Sequence, residues 1–172
     1  MNEIVGQIVG YAALVVVIFS FQRNKRSALL LIMLGGLLLF ATSYALLHAW
    51  TGSLANLIEA GVTFVAYKKE DKVWAKQPYW LYIFIGLYVL SGVITARSWA
   101  DTLPIIAQTF GAIAVWQTSS RRIRYLMLIP RPLWFTYNLI VGAQAAMIAE
   151  VLIFTSVVVG IVRFDILKQK EK

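Results

Sequence analysis

The chain contains no cysteine, a single histidine and only four prolines, and its 8 acidic residues are outnumbered by 16 basic ones. Without cysteine there is no disulfide, thiolate nucleophile, iron–sulfur centre or Cys-based zinc site, and the redox compartment leaves no trace. No Ser-His-Asp set and no metal-ligand cluster is recognisable. Gly35-Gly36 lacks the lysine and strand context of a phosphate-cradling loop. The lone His48 sits near the end of an apolar run, where an exposed ring is the default reading. Neither an enzyme nor a bound cofactor or metal is expected. Charge is scarce too, at 14% of residues. The net charge of +8 falls in short clusters between apolar segments instead of one stripe with interleaved aromatics, so no nucleic-acid partner is implied.

What the chain has in abundance is apolar surface. With 60% hydrophobic residues and a mean hydropathy of +0.73 over 172 residues, it has the composition of an all-α polytopic membrane protein whose partner is the lipid bilayer. Only Met1 to Glu3 precede the first apolar run, with no positively charged flank, so that segment is expected to be a retained span and not a cleaved signal. Segments long enough to cross a bilayer, about 17–25 residues each, fall near 4–22, 27–48, 51–67, 79–96, 101–118, 124–141 and 145–163. Seven transmembrane helices are therefore predicted.

The basic residues orient these spans. With the N-terminus outside, the inner loops and tail collect Arg23, Lys25 and Arg26, then Lys68, Lys69, Lys72 and Lys76, then Arg121, Arg122 and Arg124, and finally Arg163, Lys168, Lys170 and Lys172. Of the 16 basic residues only Arg97 and Arg131 fall elsewhere. The positive-inside rule thus predicts N-terminus out and C-terminus in.

A repeat runs through the pattern. Trp134 and Glu150 are separated by sixteen residues, and the same layout stands 94 residues earlier as Phe40 and Asn56, with Thr42 under Thr136, Tyr44 under Asn138, and Ala55 under Ala149. Lys69 and Asp71 likewise lie under Arg163 and Asp165. This divides the chain into a first three-helix unit (1–67), a cytoplasmic loop with linker helix (68–98), and a second three-helix unit with a short cytoplasmic tail (99–172). Two units of three spans can be parallel only if one further span lies between them. Tyr79 to Ala96 fits that part, with Tyr79, Trp80, Tyr82 and Tyr88 suggesting a lipid-facing helix with an aromatic belt. A small-xxx-small seam carrying a glutamine occurs at Gly6-Gln7-Ile8-Val9-Gly10 and at Ala107-Gln108-Thr109-Phe110-Gly111. Gly35-Gly36 in span 2 faces Ile129-Pro130-Arg131-Pro132 in span 6, so a break at equal depth is expected in both. Helix breaks matched between two repeats point to a transport site, which makes Gly35, Gly36, Pro130 and Pro132 candidate hinges.

The candidate substrate-binding residues follow from this layout. Glu150 is a carboxylate at membrane depth, which costs about 2.5–3.5 kcal/mol even on insertion scales and therefore needs a cavity, a partner or a proton. Arg131 is its obvious structural partner. Asn56 matches Glu150 in the other unit, and Glu59, on the same face of span 3, either pairs with Arg131 or lines the path. Trp134 and Phe40 are placed to stack on a ligand, with Asn138 and Tyr44 beside them.

These features resemble a known group. The three-one-three layout is similar to the SWEET sugar carriers and the PnuC vitamin transporters, in which an aromatic on the second helix of a unit and a polar residue on the third flank the substrate. Trp134-Phe135-Thr136-Tyr137-Asn138, Glu150 twelve residues on, and Ile161-Val162-Arg163-Phe164 are similar over nearly the whole chain to the YgjV-type bacterial inner-membrane proteins. The resemblance implies an inner-membrane location and alternating-access transport of a small-molecule solute. A SWEET-like sugar site has asparagine in both units, whereas the second unit here has Glu150, and the Pro-Gln signature of the wider superfamily is missing. A carboxylate beside Trp134 and Phe40 instead favours a cationic or ring-containing solute. A non-transporting receptor or assembly subunit is the alternative. Two units in one chain make a monomer sufficient for a pocket and leave a homo-oligomer open.

Overall fold

Runs of Leu, Ile, Val and Ala with strong helical propensity and almost no interior proline leave the backbone one way to satisfy its polar groups in an apolar setting, which is within helices. The computed structural model describes residues 2–20, 26–69, 71–117 and 120–167, and among these there is no strand. Arg23, Lys25, Lys168, Lys170 and Lys172 lie outside the described residues. The order is α1 (Asn2–Ser20), α2 (Arg26–Leu46), α3 (Trp50–Lys68), α4 (Tyr79–Thr95), α5 (Thr102–Val115), α6 (Ser120–Met127), α7 (Pro130–Ile140) and α8 (Gln144–Ile161), with α8 continuing as a wider π turn over Val162–Leu167.

Among the described residues each of the seven predicted apolar segments holds helix, but they are not seven equal rods. Three stretches are long and apolar enough to cross a membrane by length and composition, namely Asn2–Ser20, Ser27–Leu46 and Gln144–Leu167, and Tyr79–Thr95 is a shorter apolar helix. Helix α3 has the length but carries Thr51, Ser53, Asn56 and Thr63 on its buried face, which dilutes its hydropathy. Segment 6 is split. Pro130 and Pro132 have no N–H to give to the carbonyls four residues back, so Leu128 and Ile129 close tight i−3 turns on Tyr125 and Leu126 (3.3 and 3.2 Å), and α7 restarts with proline in its first turn.

The expected matching break in span 2 is absent. Helix α2 runs unbroken through Gly35 and Gly36. A Cβ on Gly36 would lie 2.5 Å from Val17 Cγ2, whereas one on Gly35 would meet nothing. Gly36 therefore serves the close approach of α1 to α2 and does not kink the helix.

Helices α1, α2 and α3 pack in sequence, α5 packs on α7 and α7 on α8, and the two sets meet through α1 against α8 and α3 against α5. Helix α4 packs between α3 and α5. Its outer face is apolar and open, with Val93 79% exposed, as lipid contact requires. Tyr88 departs from the lipid-facing belt expected of it, being fully buried, because its hydroxyl has a carboxylate to reach on α3.

The corners after α2 and α7 share one geometry. His48 (φ 58°) and Gly142 (φ 69°) are the left-handed residues. Ala49 N–H returns to Tyr44 O at 2.8 Å and His48 N–H to Ala45 O at 3.0 Å; Ala143 N–H returns to Asn138 O at 2.9 Å and Gly142 N–H to Leu139 O at 3.4 Å. Both are Schellman caps, and each atom in one has its counterpart 94 residues on.

The two glutamine seams do not correspond in space. In α1, Gly6 and Gly10 admit Leu46, Ser43 and Ala145 at contact distance, while Gly111 in α5 meets only its own Gln108. Gln7 Nε2 donates to Gly142 O at 2.6 Å at the α7–α8 corner; Gln108 is buried on the wall of the central cavity.

Candidate functional site

Between the two helix sets lies a cavity of about 130 Å³, room for several waters or a small solute. Its walls come from α1, α2, α3, α5, α7 and α8. Phe40, Tyr44, Asn56, Trp134 and Glu150 all line it, joined by Glu59, Gln108 and Arg131. The lining repeats at the 94-residue offset. Phe40 and Trp134 both contribute, as do Leu37 and Arg131, Asn56 and Glu150, and Glu59 and Ile153. Equal positions thus carry different chemistry, and the charges in the second set are Arg131 and Glu150.

Tyr44 and Asn138, themselves 94 residues apart, hydrogen-bond to each other, the tyrosine hydroxyl donating to Asn138 Oδ1. Asn138 is fully buried and absent from the cavity wall, contrary to its expected contact with substrate. It stands behind Tyr44, and its Nδ2 has no hydrogen-bond partner among the described residues. Beside it, Tyr137 accepts the Gly52 N–H at 3.0 Å, taking up one of the free N–H groups at the start of α3. The Trp134 ring packs on Tyr44 (centroids 6.0 Å) and edge-on against Tyr137 (5.8 Å). These aromatics and Asn138 form a closed floor at the α2–α3 and α7–α8 corners.

Arg131 reaches Glu150, Nη1 to Oε2, at 3.0 Å, with both side chains 13% exposed. The alternative pairing with Glu59 does not form. Glu59 Oε2 instead accepts the Tyr88 hydroxyl from α4 at 2.6 Å, so the helix expected to be a linker holds a residue of the cavity wall from behind. Asn56 Nδ2 bonds back to Gly52 O at 2.9 Å. Thr42 and Thr136 also bond back, to Leu38 O and Pro132 O, and neither lines the cavity. Thr136 and Pro132 lie in a separate groove between α7 and α8, where Phe135 and Phe154 form the walls and the Arg131–Glu150 pair reappears.

Gln108 and Tyr88 are not among the site residues that the sequence singles out. A glutamine in a small-residue seam reads as helix glue, and one tyrosine among five aromatics on a single helix reads as an interface anchor; only the neighbouring helices distinguish these positions. The basic ends are tied together. Lys69 Nζ sits 3.6 Å over the Trp116 ring, and Arg124 grips Asp165 in a fork of 2.8 and 2.6 Å. At the opposite end, Asp101 Oδ2 accepts the N–H groups of Arg97 (3.0 Å) and Ser98 (2.9 Å) ahead of α5. Burial raises the Asp101 carboxyl, but those two N–H groups and the Thr51 and Ser98 hydroxyls outweigh it and hold it below the usual carboxylate range.

No metal-binding group of three or more His, Cys, Asp or Glu occurs among the described residues. No curated protein matches the chain, and no solved structure does. Residues 4–168 match the Imp-YgjV family, bacterial inner membrane protein, and the chain belongs to that family of the bacterial inner membrane.

Proposed function

We propose that the protein is a carrier that moves a small polar organic solute across the inner membrane by alternating access between two parallel three-helix units, as in the SWEET and PnuC carriers its sequence resembles. The observation that carries this reading is the central cavity, polar and aromatic at membrane depth and lined at positions that repeat every 94 residues. The shared Schellman corners and the Tyr44–Asn138 contact support a duplicated unit with an axis between its copies. Lys69 with Trp116 and Arg124 with Asp165 gather the basic loops at one end, in keeping with seven spans, N-terminus out and C-terminus in.

In this reading Phe40 and Trp134 stack on the solute, Asn56 and Gln108 hydrogen-bond to it, and Arg131 and Glu150 set the local charge. The split at Leu128–Pro130 provides a hinge in the second unit; α2, unbroken, moves as one piece. Two carboxylates against one guanidinium favour a cation, with aromatic faces to receive it, over a neutral sugar. No catalytic step is involved, and one chain supplies the whole cavity.

The test is a thermal-shift screen of the purified protein and of Trp134→Ala against sugars, nucleosides, cationic vitamins and amino acids, followed by uptake of any hit into proteoliposomes. A ligand at 100 times its dissociation constant adds roughly 2.7 kcal/mol. A hit that Trp134→Ala abolishes, and that is taken up, is expected. The second reading, a non-transporting receptor or assembly subunit, is favoured by the Arg131–Glu150 bridge, which satisfies both charges internally. It predicts binding without uptake, or no hit at all.

A further inference from the structure

The cavity holds two carboxylates and one guanidinium, and the geometry divides them unequally. Arg131 is committed to Glu150. Glu59, on the same wall, is met by the neutral hydroxyl of Tyr88 at 2.6 Å. A hydroxyl orients a carboxylate and stabilises it, but it does not cancel the charge. With both acids ionised, one formal negative charge remains in the cavity, and it belongs to Glu59. At membrane depth such a charge calls for a counter-charge. Glu59 also shares this cavity with the rings of Phe40, Tyr44 and Trp134, which provide the apolar, electron-rich surroundings that accept a positive group.

Tyr88 is built to hold this carboxylate still. It is fully buried on α4 and packs in the same cluster as Phe84, Val62 and Val65. The 94-residue counterpart of Glu59 is Ile153, also on the cavity wall. The feature is therefore confined to one unit, and nothing in the repeat layout marks it.

We infer that Glu59, oriented by Tyr88, is the monocation site of the cavity, taking either the positively charged head of an organic solute or a proton that accompanies it. The site rests on the carrier reading only for the claim that its occupant moves. Glu150 is excluded as the anchor because its charge is already matched. The groups that also bear on any pH dependence are Arg131 on α7, Glu150 on α8 and Tyr44 on α2, which share Glu59's cavity, and Tyr88 on α4, which bonds to its carboxylate.

The experiment uses the intact chain purified in detergent, with thermal unfolding followed as choline chloride or methylammonium chloride is added, sodium chloride serving as the salt control, and separately from about pH 5 to 8. Wild type, Glu59→Gln and Tyr88→Phe are compared. The organic cation should raise the melting temperature of wild type and not of Glu59→Gln, and Tyr88→Phe, which keeps the carboxylate but frees it, should weaken the response about tenfold or more. If neither cation acts but the pH profile of wild type flattens in Glu59→Gln, the occupant is a proton and the site stands. A cation response that persists unchanged in Glu59→Gln overturns the site, and so, where neither cation acts, does a pH profile that persists unchanged. Should that variant fail to fold, unchanged cation affinity and pH profile in Tyr88→Phe overturn it equally, as does a wild type indifferent to both cations and pH. Choline flux into proteoliposomes separates the two claims. Binding at Glu59 without flux would refute the carrier and leave the site, while flux indifferent to Glu59→Gln would refute the site and leave the carrier.

Discussion

Breaking the Arg131–Glu150 bridge is the sharpest test of how the cavity is held together. Both side chains are 13% exposed and their charged atoms lie 3.0 Å apart. Removing one partner of a buried pair costs about 3–5 kcal/mol, because the charge left behind is uncompensated. The two deletions should differ. Arg131 stays charged under all conditions, so Glu150→Gln leaves a permanent cation without its hydrogen-bonded partner, with Glu59 the one acid left on the cavity wall, and should cost about 3–5 kcal/mol. Arg131→Met strands a carboxylate that can take up a proton, which limits the loss to about 1–3 kcal/mol. The double variant removes both charges and should lie within about 1.5 kcal/mol of wild type, leaving a coupling of about 2 kcal/mol or more. For a chain of this size each kcal/mol moves the melting temperature by about 2–4 °C, so Glu150→Gln should fall by about 6–20 °C and the double variant should recover most of that. Thermal or denaturant unfolding of the four proteins in one detergent decides the matter. Additive losses, or a double variant worse than Glu150→Gln, would show that the pair contributes no mutual stabilisation and that another group satisfies each charge.

Three further outcomes are expected. Gly142→Ala, which forces a side chain into the left-handed region at φ 69°, should lower stability by about 1–2 kcal/mol, whereas His48→Gly at the corresponding corner should raise the melting temperature. Tyr137→Phe removes the acceptor of the Gly52 N–H and should cost about 1–3 kcal/mol, with slower-exchanging amides lost at the start of α3 in hydrogen exchange. Asp101 has its carboxyl lowered in the folded protein. Its stabilisation is therefore fully present above the unfolded value, about pH 3.9, and is lost as pH falls through the folded value. Asp101→Asn should lower stability by about 1 kcal/mol at neutral pH and remove that acid limb from the stability profile, which a pH series of melting curves would show.

Several aspects of the protein can be read from residues alone. Apolar run length and the clustering of Lys and Arg are one-dimensional signals of helix and membrane, because a span must satisfy its own backbone whatever surrounds it. A 94-residue offset is equally visible along the chain, and Phe40, Tyr44, Asn56, Trp134 and Glu150, picked out by it, do line one cavity. The split in segment 6 was legible because proline lacks an N–H wherever it stands. Glycine carries no such signal. Gly35-Gly36 reads equally as a break or as a place for another helix to approach, and it took Val17 against Gly36 to decide. Partnerships depend on distance between helices and were settled only in three dimensions. Arg131 went to Glu150 and not to Glu59; Asn138 turned to Tyr44 behind the cavity wall; and Tyr88, indistinguishable from its neighbours on α4 by type, reached the one carboxylate that Arg131 leaves unmatched. Periodicity tells which residues share a helix face, but which face meets which is the outcome of packing all the helices together, and that is where the charge balance of the cavity was decided.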